Sequence, residues 1–291
     1  MRIRPVWVFI SIIFLVPWMG TYTYQKYRPS VDLQQSSEGL VVYMKENGRD
    51  QVVDFDTYVI GVLGAVLNPE SHEETVKAMT VIIRTYLHFM AEGGNLIYSK
   101  ALGLPWLSSG DRQKKGIDDE RLKSALRETK GCMLTYNNRP ILPLYHKASN
   151  GKTRSFSEVW SGDLPYLTAV ESLWDKSYTD YMRKITLSQS QWKAIWGETA
   201  GMQLQIVEKD AAGYVKQIQI GVDLYSGEEV RCRLNLPSAC FEYEIQNNKI
   251  LFTCYGEGHG VGLSLYGANA MAESGKTWQE ILLWYFPGTV L

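Results

Sequence analysis

The sequence predicts an α+β fold, with central, mostly antiparallel strands and flanking helices. Long apolar helical patterns lie near the start and the end of the chain, whereas short alternating segments lie in the middle. No repeat, low-complexity tract or second linker interrupts the chain after residue 38. We therefore expect one domain over residues 39–291, preceded by a membrane anchor at residues 1–24 and a linker at residues 25–38.

Composition excludes several classes of protein. The chain has 291 residues, of which 45% are hydrophobic, so it is long and apolar enough to build a large core and is not disordered. Its 30 Lys and Arg residues against 31 Asp and Glu residues leave a formal net charge of -1, which gives no general attraction for nucleic acid. No nucleic-acid partner is expected.

The N-terminal segment has the features of a membrane anchor. Arg2 and Arg4 precede an apolar run that ends near residue 20, a length that also suits a cleaved secretory signal. Bulky Trp18 and Tyr22, rather than the small residues of a cleavage site, lie at the end of the run and suit the membrane–water interface. We expect a retained single-pass anchor whose positive end stays in the cytoplasm, with the domain on the other side of the membrane.

The first part of the domain is expected to hold two strands followed by two helices. Asp56 is expected to cap the first helix, and Pro69 ends its pattern. Ser71 and Glu74 have capping-box spacing and predict the start of the second helix, which belongs to the core. The strands are predicted at residues 39–45 and 51–56, and the helices at 57–67 and 74–91.

The rest of the domain is expected to be richer in strands. Alternating apolar residues indicate these strands, and a glycine-rich turn at residues 256–264 precedes two closing helices. The strands are predicted at residues 132–136, 141–146, 202–208, 214–222, 228–236 and 249–255, and the helices at 120–129, 188–197, 238–245, 265–275 and 277–286.

Four cysteines and four histidines limit the disulfide and metal chemistry. Outside the cytoplasm the cysteines allow two bridges in three pairings, with Cys232 and Cys240 the easiest pair to close. Four unpaired, buried thiols are the alternative, since a chain of this length folds without bridges. No C-x-x-C motif occurs, and neither a metal nor another cofactor is expected. The residues are Cys132, Cys232, Cys240, Cys254, His72, His88, His146 and His259.

Three segments stand out from the periodic core pattern. The first is residues 58–87, which contain K-A-M-T-V-I-I-R-T-Y. The second is Y-H-K-A-S-N-G-K-T at residues 145–153, and the third is G-H-G-V-G-L-S-L-Y-G-A at 258–268, followed by Y-F-P-G-T at 285–289. The glycine spacing fits neither a dinucleotide-binding nor a phosphate-binding loop. In this order the segments resemble the stage II sporulation protein D family and its amidase-enhancer relatives, over nearly the whole chain after residue 39.

The resemblance implies where such a protein acts and on what. Members of the family are single-pass lytic transglycosylases that cut peptidoglycan glycan strands while a mother cell engulfs its forespore. They face the space between the two cells and work beside the stage II sporulation proteins P and M. For this chain the resemblance implies a cell-membrane protein of sporulation, with peptidoglycan glycan strands as ligand and proteins P and M as partners.

The resemblance also points to one catalytic position. Cleavage without water needs a proton donor for the leaving oxygen, after which the sugar's own 6-hydroxyl closes on an oxocarbenium-like centre. In the family this donor is a glutamate, and counting back from Lys77 puts its position at Val66, which has no proton to transfer. Glu70, four residues later, and Glu257, in the glycine-rich turn, are the carboxylates that we consider as replacements. Glu70 alternatively stabilises the positive N-terminal end of the next helix.

Six polar residues are expected to line a substrate groove. Their hydroxyl, imidazole and guanidinium groups can hydrogen-bond sugar hydroxyls without taking part in chemistry. The alternatives are that the histidines order their loops and that the arginine pairs with a buried carboxylate. The six residues are Arg84, His146, Ser149, Thr153, His259 and Ser264.

Two hypotheses about the molecule therefore remain open. In one it binds glycan without cutting it, as a degenerate lytic transglycosylase; in the other it is an active enzyme with a relocated acid, Glu70 or Glu257. The residues favour the first, because loss of a general acid costs about 10²–10⁴ in rate and because Met79 and Leu265 replace two glutamines that are usual in the family. A secreted protein that shares the scaffold but has no role in the cell wall is a more distant third alternative.

Overall fold

The computed structural model describes residues 37–46, 48–198 and 201–291. The predicted membrane anchor at residues 1–24 lies outside the described residues, as does the predicted linker up to residue 36. In the described parts of the chain, no helix has both the length and the apolar character needed to cross a membrane.

The folded domain begins before the predicted boundary at residue 39. The Ser37 hydroxyl donates a hydrogen bond to a carboxylate oxygen of Asp56, 2.6 Å away. The Glu38 carboxylate forms an ion pair with Arg84 at 2.7 Å and a hydrogen bond with His88 at 2.8 Å. Residues 37 and 38 therefore belong to the domain and not to the linker.

The N-terminal part of the domain is a group of helices with one small sheet at its side. Its elements are β1 (Val41–Glu46), β2 (Arg49–Asp54), α1 (Phe55–Val66), α2 (Glu73–Ala91), β3 (Leu96–Tyr98), α3 (Ser99–Leu102), α4 (Ser109–Lys114) and α5 (Asp119–Glu128). Strand β1 forms the predicted hairpin with β2 and pairs in parallel with β3. Most residues of α1 and α2 are buried, because the apolar residues of α1 are nearly continuous and those of α2 cover a broad face.

Helix α1 has a different cap from the one predicted. Asp54, rather than Asp56, accepts hydrogen bonds from the Thr57 amide at 3.0 Å and from the Thr57 hydroxyl at 2.7 Å. Asp56 instead lies in the first helical turn, where a negative charge favours the positive end of the helix dipole.

Helix α2 also begins differently. His72, rather than Ser71, is the capping residue, and its Nδ1 accepts a hydrogen bond from the Glu74 amide at 3.2 Å. The Glu74 carboxylate is not free for a capping box, because it accepts hydrogen bonds from Lys77 and from the Trp278 amide.

The C-terminal part of the domain contains most of the strands. Its elements are β4 (Thr135–Tyr136), β5 (Arg139–Pro140), β6 (Tyr145–His146), β7 (Met182–Ser188), α6 (Gln189–Trp196), β8 (Leu204–Lys209), β9 (Val215–Ile220), β10 (Asp223–Ser226), α7 (Gly227–Leu234), β11 (Phe241–Gln246), β12 (Lys249–Tyr255), β13 (Leu263–Ser264), α8 (Leu265–Glu273) and α9 (Trp278–Tyr285), with 3₁₀ turns at Phe156–Glu158 and Leu173–Ser177. Two antiparallel sheets, β10-β9-β8 and β11-β12-β7, hold the longer strands.

Two adjacent segments have the opposite secondary structure to that predicted. Residues 228–236, predicted as a strand, lie mainly in α7, and residues 238–245, predicted as a helix, lead into strand β11. Val230 and Leu234 are four residues apart, a spacing that fits a helix face as well as strand alternation, and Ser226 caps the helix. Every residue of β11 pairs with a residue of β12 in antiparallel register.

The predicted strands at residues 132–136 and 141–146 are reduced to two-residue pairs. Strands β4 and β5 pair with each other, whereas β6 pairs in parallel with the distant β13, so that His146 lies opposite Ser264. This second pairing joins the second and third sequence motifs.

The described residues pack into two main hydrophobic cores. One lies among α1, α2, α5, α8 and α9, and the other lies between the two antiparallel sheets, α6 and α7. The predicted α+β class is confirmed. The described strands do not form one central sheet, however: strands β1 and β3 pack on the helical core, and the two larger antiparallel sheets share the second core.

All four cysteines are unpaired in the structure. Cys240 and Cys254 are buried, Cys132 is partly buried and Cys232 is exposed. The bridge between Cys232 and Cys240 is therefore not formed, and the thiols are not all buried.

Candidate functional site

The three sequence motifs meet at one cleft of about 670 Å³. The Tyr266 amide at the start of α8 donates a hydrogen bond to the carbonyl of Lys147, 3.0 Å away. The His72 amide, before α2, donates to the side-chain oxygen of Asn269 at 2.7 Å. The cleft is lined by Val66, Leu67, Asn68, Pro69, Glu70, Ser71, Thr75, Tyr145, His146, Lys147, Tyr178, Leu265, Tyr266, Asn269 and Glu273.

Glycines let the third motif approach the second this closely. Gly262 has a φ of 75°, and a Cβ atom there would lie 2.1 Å from the carbonyl oxygen of Leu144. Gly256 also has a φ of 75°, and its Cβ would lie 2.7 Å from the carbonyl oxygen of Ala148. Only glycine fits both the backbone conformation and the space at these positions.

Val66 lies in the wall of the cleft. It is the last residue of α1, is partly buried and packs against the helical core. The position counted back from Lys77 thus faces the cleft and presents an aliphatic side chain to it.

Two carboxylates line the same cleft. Glu70 lies in the loop between α1 and α2 and was a candidate acid in the sequence analysis. Glu273 lies at the end of α8 and was not a candidate. Both residues are exposed, and Glu273 accepts a hydrogen bond from the Asn269 amide group at 2.7 Å. A carboxylate at the mouth of a cleft remains solvated, unlike an acid held against apolar groups.

Glu257 lies beside the cleft and is held by cations. Its carboxylate is 3.2 Å from Lys147 Nζ and 3.0 Å from an Arg183 nitrogen, and it accepts a hydrogen bond from the Tyr178 hydroxyl at 3.3 Å. Glu257 does not line the cleft, although Lys147 and Tyr178 do. Its contacts are thus with two cations, unlike those of an acid held against apolar groups.

A cation and two aromatic rings form one side of the cleft. Lys147 Nζ lies 5.5 Å from the centre of the Tyr178 ring, and the Tyr178 and Tyr266 rings are 5.2 Å apart. A hydrogen bond with Tyr178, followed by the contact with Glu257, raises the pKa of Lys147, so the amine stays charged at neutral pH. Flat rings beside a few polar groups are typical of sites for small organic ligands.

The two histidines of the motifs have different places. His146 lines the cleft but is only 4% exposed, and its Nδ1 lies 3.2 Å from the carbonyl oxygen of Val261. His259 does not line the cleft; its ring lies between those of His146, 5.9 Å away, and Trp160, 5.3 Å away. Burial lowers the pKa of His146 to about 4. The pKa of His259 falls to about 3, mainly because burial disfavours its charged form and secondly because a protonated His146 would repel it. Both rings are neutral at neutral pH.

The predicted hydroxyl residues are buried beneath the cleft and do not line it. Ser149 donates from its hydroxyl to Asp175 at 2.6 Å, and Ser264 donates to the other oxygen of Asp175 at 2.7 Å. The Thr153 hydroxyl accepts a hydrogen bond from the Val170 amide at 2.8 Å. These side chains are 0% exposed, so they hold the loops of the site and are out of reach of a ligand.

Arg84 also lies away from the cleft. Its side chain is 1% exposed and forms an ion pair with Glu38 at 2.7 Å. The guanidinium also donates hydrogen bonds to the Thr129 hydroxyl and to the carbonyl of Leu126. Arg84 therefore pairs with a carboxylate, which was the alternative to a place in the substrate groove.

Sequence reasoning missed one wall of the cleft that a simple pattern indicates. Tyr266, Asn269 and Glu273 are spaced by three and four residues, so they lie on one face of α8. Lys147 is adjacent to His146 and could have been found in the same way. No pattern indicates Asp175, because its partners lie 26 and 89 residues away in the sequence.

The described residues offer no site for a metal ion. No group of three or more His, Cys, Asp or Glu side chains converges anywhere in these ranges. The cleft presents a cation, phenols, amides and two carboxylates, a set suited to hydrogen bonding with a polyhydroxylated ligand.

Comparison with known proteins identifies the family. A family model described as stage II sporulation protein matches residues 43–136. The stage II sporulation protein D of Bacillus amyloliquefaciens is 30% identical over 272 residues, which cover 88% of this chain and 79% of that protein. The chain belongs to the stage II sporulation protein D family.

Two other relatives agree with this family. The stage II sporulation protein D of Bacillus subtilis (strain 168) is 30% identical over 273 residues, which cover 88% of this chain and 80% of that protein. The amidase enhancer of the same strain is 25% identical over 279 residues, which cover 75% of this chain but only 38% of that protein. The resemblance drawn from the three motifs is thus confirmed.

Proposed function

We propose that this member of the stage II sporulation protein D family binds peptidoglycan glycan strands in its cleft during sporulation, without cutting them. The observation that carries the proposal is the position of Val66 in the cleft wall. A lytic transglycosylase needs a proton donor at the scissile bond, and a valine at the place of the family's glutamate supplies none.

The chemistry of the cleft supports glycan as the ligand. The rings of Tyr178 and Tyr266 offer flat apolar surfaces, and the side chains of Asn68 and Asn269 offer amide donors and acceptors. A sugar ring has an apolar C–H face and a rim of hydroxyls, so it matches a wall that combines rings and amides.

The experiment that tests the proposal restores the missing acid. The purified full-length protein and its Val66→Glu variant are incubated with peptidoglycan, and anhydro-muramyl ends are measured by mass spectrometry. We expect the wild type to bind peptidoglycan and release almost no such ends, and the variant to release at least about 10²-fold more. Val66→Gln is the matched control, because it has nearly the shape of glutamate but no acidic proton.

A second candidate function is an active lytic transglycosylase with Glu70 as its acid. The observation that favours it is that Glu70 lines the same cleft as Val66. In that case the wild type releases anhydro-muramyl ends at rates like those of Val66→Glu, and Glu70→Gln abolishes the release. Glu73→Gln is the control, since Glu73 is an exposed glutamate of the same segment that does not line the cleft.

The cellular setting is part of the same proposal. The apolar segment at residues 1–24 would anchor the protein to the membrane, with the domain between mother cell and forespore, beside the stage II sporulation proteins P and M. The support is the sequence of that segment and the family resemblance. A pull-down of proteins P and M with the full-length chain tests the partnership.

A further inference from the structure

Two exposed tryptophans that do not line the cleft lie next to each other. Trp174 is 36% exposed and Trp284 is 43% exposed, and their ring centres are 6.3 Å apart with planes at 75°. Their sequence neighbours Leu173 and Leu283 are 59% and 44% exposed. Large apolar side chains that stay this exposed mark a binding surface. We call Trp174 and Trp284 the tryptophan pair.

The tryptophan pair is held in place without a ligand. The indole nitrogen of Trp284 donates a hydrogen bond to the carbonyl of Glu171, 2.9 Å away, and the edge-to-face contact orients Trp174 against it. The hydroxyls of Ser172 and Tyr285, the residues next to this contact, share a hydrogen bond of 2.7 Å. Because the rings are already ordered, a ligand that binds them loses little further entropy.

A single 3₁₀ turn connects the tryptophan pair to the cleft. A 3₁₀ helix has three residues per turn and rises about 2 Å per residue. In the turn Leu173–Ser177, Trp174 and Ser177 therefore lie on the same face, about 6 Å apart along the helix axis. The Ser177 carbonyl accepts a hydrogen bond from the Tyr266 hydroxyl at 2.9 Å. Tyr178, the next residue, lines the cleft together with Tyr266. One short turn therefore separates Trp174 from Tyr178, an aromatic residue that lines the cleft.

From this short connection we infer that the tryptophan pair is a second glycan subsite, on which sugar rings that extend beyond the cleft pack. The inference rests on the proposed glycan binding. Indole rings offer flat apolar faces for the C–H faces of sugars. Glu171, whose carbonyl accepts the hydrogen bond from Trp284, forms an exposed ion pair with Lys152 at 3.6 Å, and these charged groups can hydrogen-bond hydroxyls. Tryptophan is also frequent in protein interfaces, but a protein-docking surface has no need to lie one turn away from the cleft.

The test measures how affinity depends on glycan length. Binding of a disaccharide and of a hexasaccharide from peptidoglycan to the full-length protein is followed by isothermal titration calorimetry. We expect the wild type to bind the hexasaccharide about fivefold to tenfold more tightly than the disaccharide, and Trp174→Ala to lose this gain while its disaccharide affinity stays unchanged. Trp174→Phe, which keeps a flat ring, retains most of the gain.

The controls separate the possible outcomes. Phe89→Ala removes another exposed aromatic ring, 37% exposed and on α2, and should leave both affinities unchanged. If the wild type binds neither saccharide, the proposed function itself is wrong. If it binds the disaccharide but shows no gain with length, or if Trp174→Ala keeps the gain, only the second subsite is wrong and the tryptophan pair serves another ligand, such as a protein.

Discussion

Asp175 is the buried carboxylate that holds the floor of the cleft together. It is 0% exposed and accepts hydrogen bonds from the amide and the hydroxyl of Ser149, at 2.8 and 2.6 Å, and from the hydroxyl of Ser264, at 2.7 Å. Burial raises the pKa of Asp175, whereas these hydrogen bonds favour its ionised form. Ser264 also caps α8, so a single side chain links the second motif to the helix that carries Tyr266.

The two motif histidines, His146 and His259, should make the domain less stable in acid. The folded-state pKa values of His146 and His259 are about 4 and about 3, because burial disfavours the charged ring, whereas an unfolded histidine has a pKa of about 6.5. As the pH falls below about 6.5, the unfolded chain therefore takes up protons that the folded domain does not. The contribution of the two histidines to the stability is fully present above that pH and is lost as the pH falls toward 4.

We expect the free energy of unfolding to be about 2–4 kcal/mol lower at pH 5 than at pH 7. Urea denaturation at the two pH values measures this difference, and His146→Gln should remove about half of it. A wild-type stability that does not change between these pH values would contradict the neutral state of both rings.

For single residues, the sequence predicted the place of some in the cleft but not of others. Val66 was found by counting along one helix and loop, because local spacing is kept when the chain folds. Ser149, Thr153 and Ser264 were taken for groove-lining residues, but their hydroxyls face inward to buried partners. Hydroxyl groups bind backbone, carboxylate or ligand equally well, so their residue type does not reveal which partner they meet.

The glycine-rich turn before α8 is the element that depends most on its backbone conformation. Gly262 has a φ of 75° and lies against the carbonyl of Leu144, just before strand β13 pairs with β6. A side chain there would meet a steric clash with backbone as well as conformational strain. The pairing that joins two of the three motifs therefore depends on this position.

Gly262→Ala should destabilise the domain by about 2–4 kcal/mol, because the Leu144 backbone must move away. The control is Gly275→Ala. Gly275 has a φ of 92°, but the space around its Cβ position is open, so this substitution should lower the stability by only about 1 kcal/mol. Thermal or urea unfolding of both variants gives the comparison. Equal losses would mean that the close approach to Leu144 contributes nothing.

Elements with strong local signals were predicted well, and those with ambiguous signals were not. The hairpin of β1 and β2 and the helices α1, α2, α8 and α9 appear where they were expected, because continuous or periodic apolar residues and turn residues agree. Strand β11 and helix α7 were exchanged, since Val230 and Leu234 fit two periodicities. Packing against the second core selects between them, and packing is not a local property.

Arg154 joins the two cores of the molecule. It follows the second motif, is 1% exposed and forms ion pairs with Asp210 and Glu228, both at 2.6 Å. It also donates a hydrogen bond to the carbonyl of His259 in the glycine-rich turn, 3.3 Å away. Asp210 and Glu228 belong to the strand-rich part, so this guanidinium connects that part to the cleft.

Arg154→Ala should therefore destabilise the whole domain by about 3–5 kcal/mol, because it leaves the fully buried carboxylate of Asp210 without its cation. Chemical denaturation measures the loss. Adding Asp210→Asn should recover part of it, since the uncompensated charge is removed. Lys114→Ala, which breaks the exposed pair with Asp111, should leave the stability nearly unchanged, because water screens that pair. A similar small loss for Arg154→Ala would show that the two cores are stable without this contact.

The amino-acid order by itself determined the α+β class, the helices of the first core, the three motifs and the family they belong to. It also predicted that an aliphatic residue, Val66, stands where the family has an acid. Only the tertiary structure decided which polar groups reach the cleft, because pairs such as His146 with Ser264 and Asp175 with Ser149 form across many residues and depend on how the whole chain packs. Spacing along one element survives folding unchanged, whereas the direction in which a side chain points depends on what packs around it.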